Sequence, residues 1–260
     1  MRFYSLFSLV LLLAIRTSAD DSCLVNKIKE NLEVIQSNGT AIRPSGFEVR
    51  RNLDQYKNAF GLRFSAHLND LVKGDVWIDL GAGSGDALLD FLGAHPNQGV
   101  KTVGVAWVKP PPSNATYAKA ETHFESTGAF KFLQGGRLEE IPRAELPQSQ
   151  VITDLMGPMA YTHDLPLILR LELSLLKDEK SALFITVDSR TSIETPQGAR
   201  TLSEWISSIK GLTVSTSQNH GFTVLEIHKL EPEPSIPELS LKHLQPGMPP
   251  VRVFGSRRRR

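Results

Sequence analysis

Short apolar runs alternate with segments of helical spacing through the middle of the chain. The runs are Val76 to Leu80, Thr102 to Trp107, Phe130 to Gln134, Val151 to Leu155 and Ala182 to Val187. They are apolar at consecutive positions, so as strands they would be covered on both faces, the condition of a parallel sheet. Between them lie Gly85 to Leu92, Ala115 to Ser126, an irregular Gly135 to Gln148, and Leu165 to Leu176. This alternation predicts an α/β, doubly wound, mostly parallel sheet. Upstream, Asn26 to Gln36 carries Ile28, Leu32 and Ile35, and Phe60 to Leu71 carries Leu62, Leu68 and Leu71. Both spacings predict helices ahead of the sheet. Downstream, a helix over "LSEWISSI" leads to Leu212 to Gln218 and Phe222 to Leu230. The turn Asn219-His220-Gly221 between those runs predicts a C-terminal antiparallel hairpin finishing the sheet.

The two ends break this pattern. Residues 1–19 carry one early Arg, an apolar run from Phe3 to Ile15, and small residues at Thr17 and Ala19. That order predicts a signal peptide cut after Ala19 and an exported protein, periplasmic or secreted. The run is shorter than the about 20 residues of a spanning helix. Arg16 in the cleavage region leaves a retained membrane anchor as the alternative, with membrane contact through this segment alone. Residues 20–74 form the N-terminal helical segment and 75–230 the α/β domain, and 231–260 is a proline-rich tail closed by Arg257 to Arg260. Proline at that density predicts an extended tail.

Composition narrows the chemistry. The formal net charge of +1 provides no overall field that would recruit nucleic acid. The one cysteine, Cys23, excludes an intramolecular disulfide. His67, His95, His123, His220, His228 and His243 lack metal-ligand spacing, and no metal is expected. Ser84 lies in "GAGSGD", outside the G-x-S-x-G elbow of a Ser-His-Asp hydrolase. The sequons at Asn38 and Asn114 matter only in a host that glycosylates exported proteins.

The most informative stretch is "VWIDLGAGSGDALLDFL", with Gly81, Gly83 and Gly85 at alternate positions after Asp79. A strand turning sharply into a helix needs positive φ or close backbone approach, and glycine permits both. The helix start that follows exposes unpaired N–H groups. One glycine suffices for a bare turn, so three point to a polar cofactor across the strand ends. A dinucleotide fingerprint places its third glycine one residue later, where Asp86 stands, and Asp86 would repel a pyrophosphate. No Gly-Lys-Ser/Thr phosphate loop is present.

"IDLGAGSG" resembles the first motif of class I S-adenosylmethionine-dependent methyltransferases, hydrophobic-Asp/Glu-x-Gly-x-Gly-x-Gly. The resemblance extends as an order of elements from about Phe60 to Leu230, and it implies a Rossmann-like fold and S-adenosylmethionine as cofactor. It further implies that Asp79 helps to hold the cationic amino-acid part of the cofactor over a loop of Gly81, Gly83 and Gly85. Ala106 stands where many relatives have a ribose-binding acid, followed by Trp107. In "GGRLEEIP", Arg137 falls where an Asp near the adenine is common, and Leu138 would pack on the ring. Asp154, in "DLMGPMAYTHD", takes the place of the substrate-facing motif and is the candidate catalytic residue. "Asp-Leu-Met-Gly" is similar to the Glu-x-Met-Gly of protein arginine methyltransferases, with Asp164 near, but out of register with, their second glutamate. No Asn-Pro-Pro-Tyr type sequence marks a nucleic-acid base as acceptor. The sequence therefore reads as a methyltransferase of unknown acceptor. The alternative is an exported, non-catalytic binding or scaffold protein on the same fold, given Ala106 and Arg137.

Overall fold

A computed structural model describes residues 49–106, 109–134, 138–161, 164–188, 192–195, 198–219 and 222–239. The proposed signal peptide, the helix at 26–36, Cys23, Asn38, Trp107, Arg137, His163, His220, His243 and the arginine run lie outside the described residues.

Two short helices, α1 (Leu53–Phe60) and α2 (Leu62–Asn69), precede the sheet. They part at Gly61, whose φ of 85° is a conformation that side chains disfavour. A capping box fixes the start of α1, with the Asn52 side chain accepting from Gln55 N. Then follow β1 (Val76–Asp79), α3 (Asp86–Ala94), β2 (Lys101–Ala106), α4 (Ala115–Ser126), β3 (Phe130–Gln134), β4 (Val151–Asp154), α5 (Pro158–Tyr161), α6 (Leu165–Leu175) and β5 (Ala182–Asp188). A small hairpin, β6 (Ser192–Thr195) and β7 (Gly198–Thr201), leads through α7 (Leu202–Ser207) to β8 (Leu212–Asn219) and β9 (Phe222–Lys229).

The seven-stranded sheet has the order β3-β2-β1-β4-β5-β9-β8. β1 pairs in parallel with β2 and β4, and β9 runs antiparallel between β5 and β8. This is the Rossmann-like, doubly wound sheet with a C-terminal hairpin that the apolar runs predict. All four residues of β1 are buried, as a central strand covered on both sides requires. One face carries an aromatic cluster in which Trp77 meets Tyr56, Phe64 and Phe91 at ring separations of 6.1, 5.6 and 5.6 Å. The other packs Ile78, Ile152 and Ile185 against Leu169, Leu173 and Trp205.

Two regions depart from the sequence expectation. The β6–β7 hairpin has no period-two apolar alternation to announce it, and Ile193 is its buried anchor. The start of the tail docks rather than trailing away: Ile236 is buried in the core and Arg170 Nη1 bonds Glu238 Oε1 at 2.7 Å. Among the described residues no helix is long and apolar enough to cross a membrane.

Candidate functional site

From β1 the chain leaves toward β2 and β3 on one side, while β4 and β5 lie on the other. The crevice at the carboxyl ends of β1 and β4 is therefore the switch point where such sheets bind ligands. Asp79 ends β1 there and is fully buried. Its Oδ2 accepts from Tyr56 Oη at 2.5 Å and its Oδ1 from Thr153 Oγ1 at 2.9 Å. Trp77 Nε1 in turn donates to Thr153 Oγ1 at 3.0 Å, which fixes the threonine rotamer. Burial pushes the Asp79 carboxyl up to about 6, against the opposing pull of Tyr56, Thr153 and the Arg51 charge. Burial, then the charge of Asp79, raises the Tyr56 hydroxyl well above its ordinary value, so it remains a donor.

The glycine loop fits the chain's own backbone. A Cβ on Gly81 would stand 3.1 Å from Gly157 Cα, where the loop after β4 crosses beneath. Gly83, at φ 55°, faces the Val49 carbonyl, which a Cβ would approach to 2.0 Å. The same carbonyl accepts from Ser84 N at 3.0 Å. Gly85 caps α3 in the left-handed conformation, with φ 80°. The segment from Val49 to Arg51 thus lies as a strap over the loop. From it Arg51 Nη1 donates to Leu155 O at 2.7 Å, with Gly81 O at 3.5 Å.

The remaining candidates divide. Ala106 ends β2 opposite Gln134 and offers no polar side chain. Leu138 is buried in the core with Ile141 and Leu146. Asp154 is fully buried, and its carboxylate accepts from Gly157 N at 2.6 Å and Met159 N at 2.7 Å, shaping its own loop. Glu172 of α6 is buried beside it, and burial followed by the Asp154 charge raises its carboxyl well above the usual range. Asp164 caps α6 by accepting from Leu167 N at 2.9 Å. Asp86 is buried and accepts from Ser113 Oγ.

A cavity of about 550 Å³ adjoins the strap. Arg51, Gln55, Asn58, Met156, Thr186 and Asn219 line it. The Thr186 hydroxyl is buried without a hydrogen-bond partner. Met156 has φ 58°, strained for a side-chain-bearing residue. No sequence pattern announced Tyr56, Thr153, Arg51 or this cavity, because the contacts join residues far apart in the chain.

No family model matches the chain, and no curated protein matches it. Solved structures do. A precorrin-6y C5,15-methyltransferase from Geobacter metallireducens matches at 12% identity over 63% of this chain and 85% of its own, with a TM-score of 0.37. The N,N-8-amino-8-demethyl-D-riboflavin dimethyltransferase RosA from Streptomyces davawensis matches at 15% over 82% and 70%, with 0.42. The O-methyltransferase NcsB1 of neocarzinostatin biosynthesis, solved with S-adenosyl-L-homocysteine, matches at 15% over 60% and 49%, with 0.37. All three are methyltransferases. At these identities and TM-scores the likeness assigns neither cofactor nor acceptor to this chain.

The site's own donor set bears on the cofactor. A buried carboxyl group and two main-chain carbonyls converge at the switch point, and a guanidinium is already bound to the carbonyls. That chemistry fits the cationic end of S-adenosylmethionine. Arg51 already takes the carbonyls that such a group would use.

Proposed function

We propose that the chain is an S-adenosylmethionine-dependent methyltransferase whose cofactor crevice is held closed by its own strap, Val49 to Arg51. The observation that carries this reading is the cation held at Gly81 O and Leu155 O beside buried Asp79, at the switch point of the sheet. When bound, the cofactor would supply a methyl group made electrophilic by its sulfonium. Asp79, oriented by Tyr56 and Thr153, would hold the cationic end, and the two carbonyls would exchange the guanidinium for the ammonium. Asp154 would act as a positioning residue by keeping Gly157 tight against Gly81, while Ala106 and Leu138 would offer only apolar contact.

The adjoining cavity lies within the range of small-molecule sites, roughly 300–1,000 Å³. It would admit an acceptor that gives Thr186 its missing hydrogen bond. An acceptor carrying a proton would need a base, and no ionised group described in the cavity wall is placed as one; a phenol or amine already deprotonated fits best. Export, retained anchoring and the arginine tail are proposals of the sequence alone.

The test is calorimetric titration of residues 20–260 with S-adenosylmethionine and S-adenosylhomocysteine, beside the Arg51→Ala variant. Micromolar binding, tightened about tenfold or more when Arg51 is removed, is the expected result. Two folded samples that bind neither compound would overturn the reading and leave a binding protein on this fold.

A further inference from the structure

A second cluster lies away from the crevice. His67 of α2 with Glu226 and His228 of β9 bring three ligand atoms within 4.8 Å of one another. Glu226 Oε1 stands 3.2 Å from His67 Nε2 and 3.0 Å from His228 Nε2. Residues two apart on a strand share a face, which sets Glu226 and His228 together. His67 reaches them because its ring packs on Phe184, 5.4 Å between centroids, and Phe184 is the cross-strand neighbour of Glu226.

The surroundings of His228 define the chemistry. Its Nδ1 is 3.0 Å from Ser181 O and its Nε2 is 3.0 Å from Glu226 Oε1, so both ring nitrogens face acceptors. A neutral imidazole has a single N–H. In the tautomer with that hydrogen on Nδ1, the Nε2 lone pair faces the carboxylate, an arrangement that a cation bound between them completes. A backbone carbonyl on the outer nitrogen is also the usual support of a metal-bound histidine. Glu226 Oε2 is buried with no hydrogen bond; Arg63 Nη1 stands 3.0 Å away, off a bonding direction, on a side chain 67% exposed and free to swing out. A four-coordinate ion with bonds of about 2.0–2.1 Å separates its ligands by roughly 3.3 Å, close to both His–Glu distances here.

We propose that His67, Glu226 and His228 bind one divalent transition-metal ion of the zinc type, with water in the fourth position. The ion ties α2 to β9. It uses none of the crevice residues, so it stands or falls apart from the methyltransferase reading.

The experiment is titration of the chelator-stripped chain with zinc chloride, followed by calorimetry and thermal unfolding, and with cobalt chloride, followed by visible absorption. The expected result is one ion per chain, cobalt bands of a low-coordinate site, and a midpoint raised by about 5–10 °C at one hundred times the dissociation constant. His67→Ala and His228→Gln should each weaken binding at least about 100-fold. Should His228→Gln fail to fold, His67→Ala on the helix surface still decides. Absence of saturable binding up to millimolar metal would overturn the proposal, as would equal binding by the wild type and His67→Ala.

Discussion

Asp79 and Glu226 stand in one cross-strand row, through Thr153 and Phe184, on the same face of the sheet. They are three strands, or about 14 Å, apart. Helix α1 covers one through Tyr56 and α2 covers the other through His67. Their carboxyls nonetheless move in opposite directions. Burial lifts Asp79 to about 6, whereas hydrogen bonds from His228 and His67 hold Glu226 well below the carboxylate range. The difference is in the partners. Asp79 receives two neutral hydroxyls, which replace part of its hydration but none of the missing positive charge. Glu226 has imidazoles and Arg63 around it. The nearest cation to Asp79, Arg51, acts on it only through its charge, because its hydrogen bonds go to main-chain carbonyls.

The largest effect that would break this comparison is expected from Asp79→Asn. If Asp79 serves a cationic ligand, the variant should lose at least about 100-fold in S-adenosylmethionine affinity. Its stability should change the other way. Burial raises the folded carboxyl to about 6 from its ordinary 3.8, so the folded chain binds the extra proton between those values. Wild-type stability should therefore fall as pH rises from about 4 to about 6, by up to roughly 3 kcal/mol, and remain lower above that window. Urea unfolding of Asp79→Asn should show a flatter profile there. An equal slope in both proteins would mean that Asp79 is not the group responsible.

Glu226→Gln probes the other member of the pair. With chelator present, the variant leaves His67, His228 and Arg63 facing a neutral amide, and about 1–3 kcal/mol of stability should go at pH 7. Unfolding midpoints in denaturant measure it. A change within 0.5 kcal/mol would show that the cluster does little for the fold without its ion.

The two halves of the row were unequally legible in the sequence. Asp79 and the three glycines form one local motif, and the inner parallel strands declared themselves by apolar runs, because burial on both faces leaves no room for polar alternation, whereas the edge strand β3 is only partly buried. The strap over Gly83 is a contact between residues 49 and 83–84, and no local pattern encodes it. The histidine cluster joins positions 159 apart through the placement of the terminal hairpin beside β5, so ligand spacing along the chain had nothing to report. The β6–β7 hairpin stayed hidden for a third reason: its residues are polar, and one buried isoleucine makes no period.

Gly83→Ala measures the strap. The added Cβ would strike a backbone carbonyl at 2.0 Å from a φ of 55°. A loss of about 2 kcal/mol or more is expected, with strap amides exchanging faster. Gly61→Ala is the control: it has φ 85° and nothing within 4 Å of the new atom, so strain alone should cost about 1 kcal/mol. Equal losses would mean that the strap yields without cost, and that the crevice is open in solution.

The smallest effect belongs to Thr186→Val. The hydroxyl is buried and unpartnered, so the folded chain already bears its desolvation, and a methyl of similar shape removes it. Stability should change by less than about 0.5 kcal/mol, or rise slightly, because nothing bonded is lost. This near-silence is what makes the variant informative. Thr186 lies at the wall of the cavity beside the strap, so the variant tests whether a molecule in the cavity reaches its hydroxyl. Acceptor candidates that bind the wild type should therefore bind Thr186→Val about tenfold more weakly. A marked loss of stability instead would make Thr186 an ordinary structural residue and detach the cavity from the crevice beside Asp79.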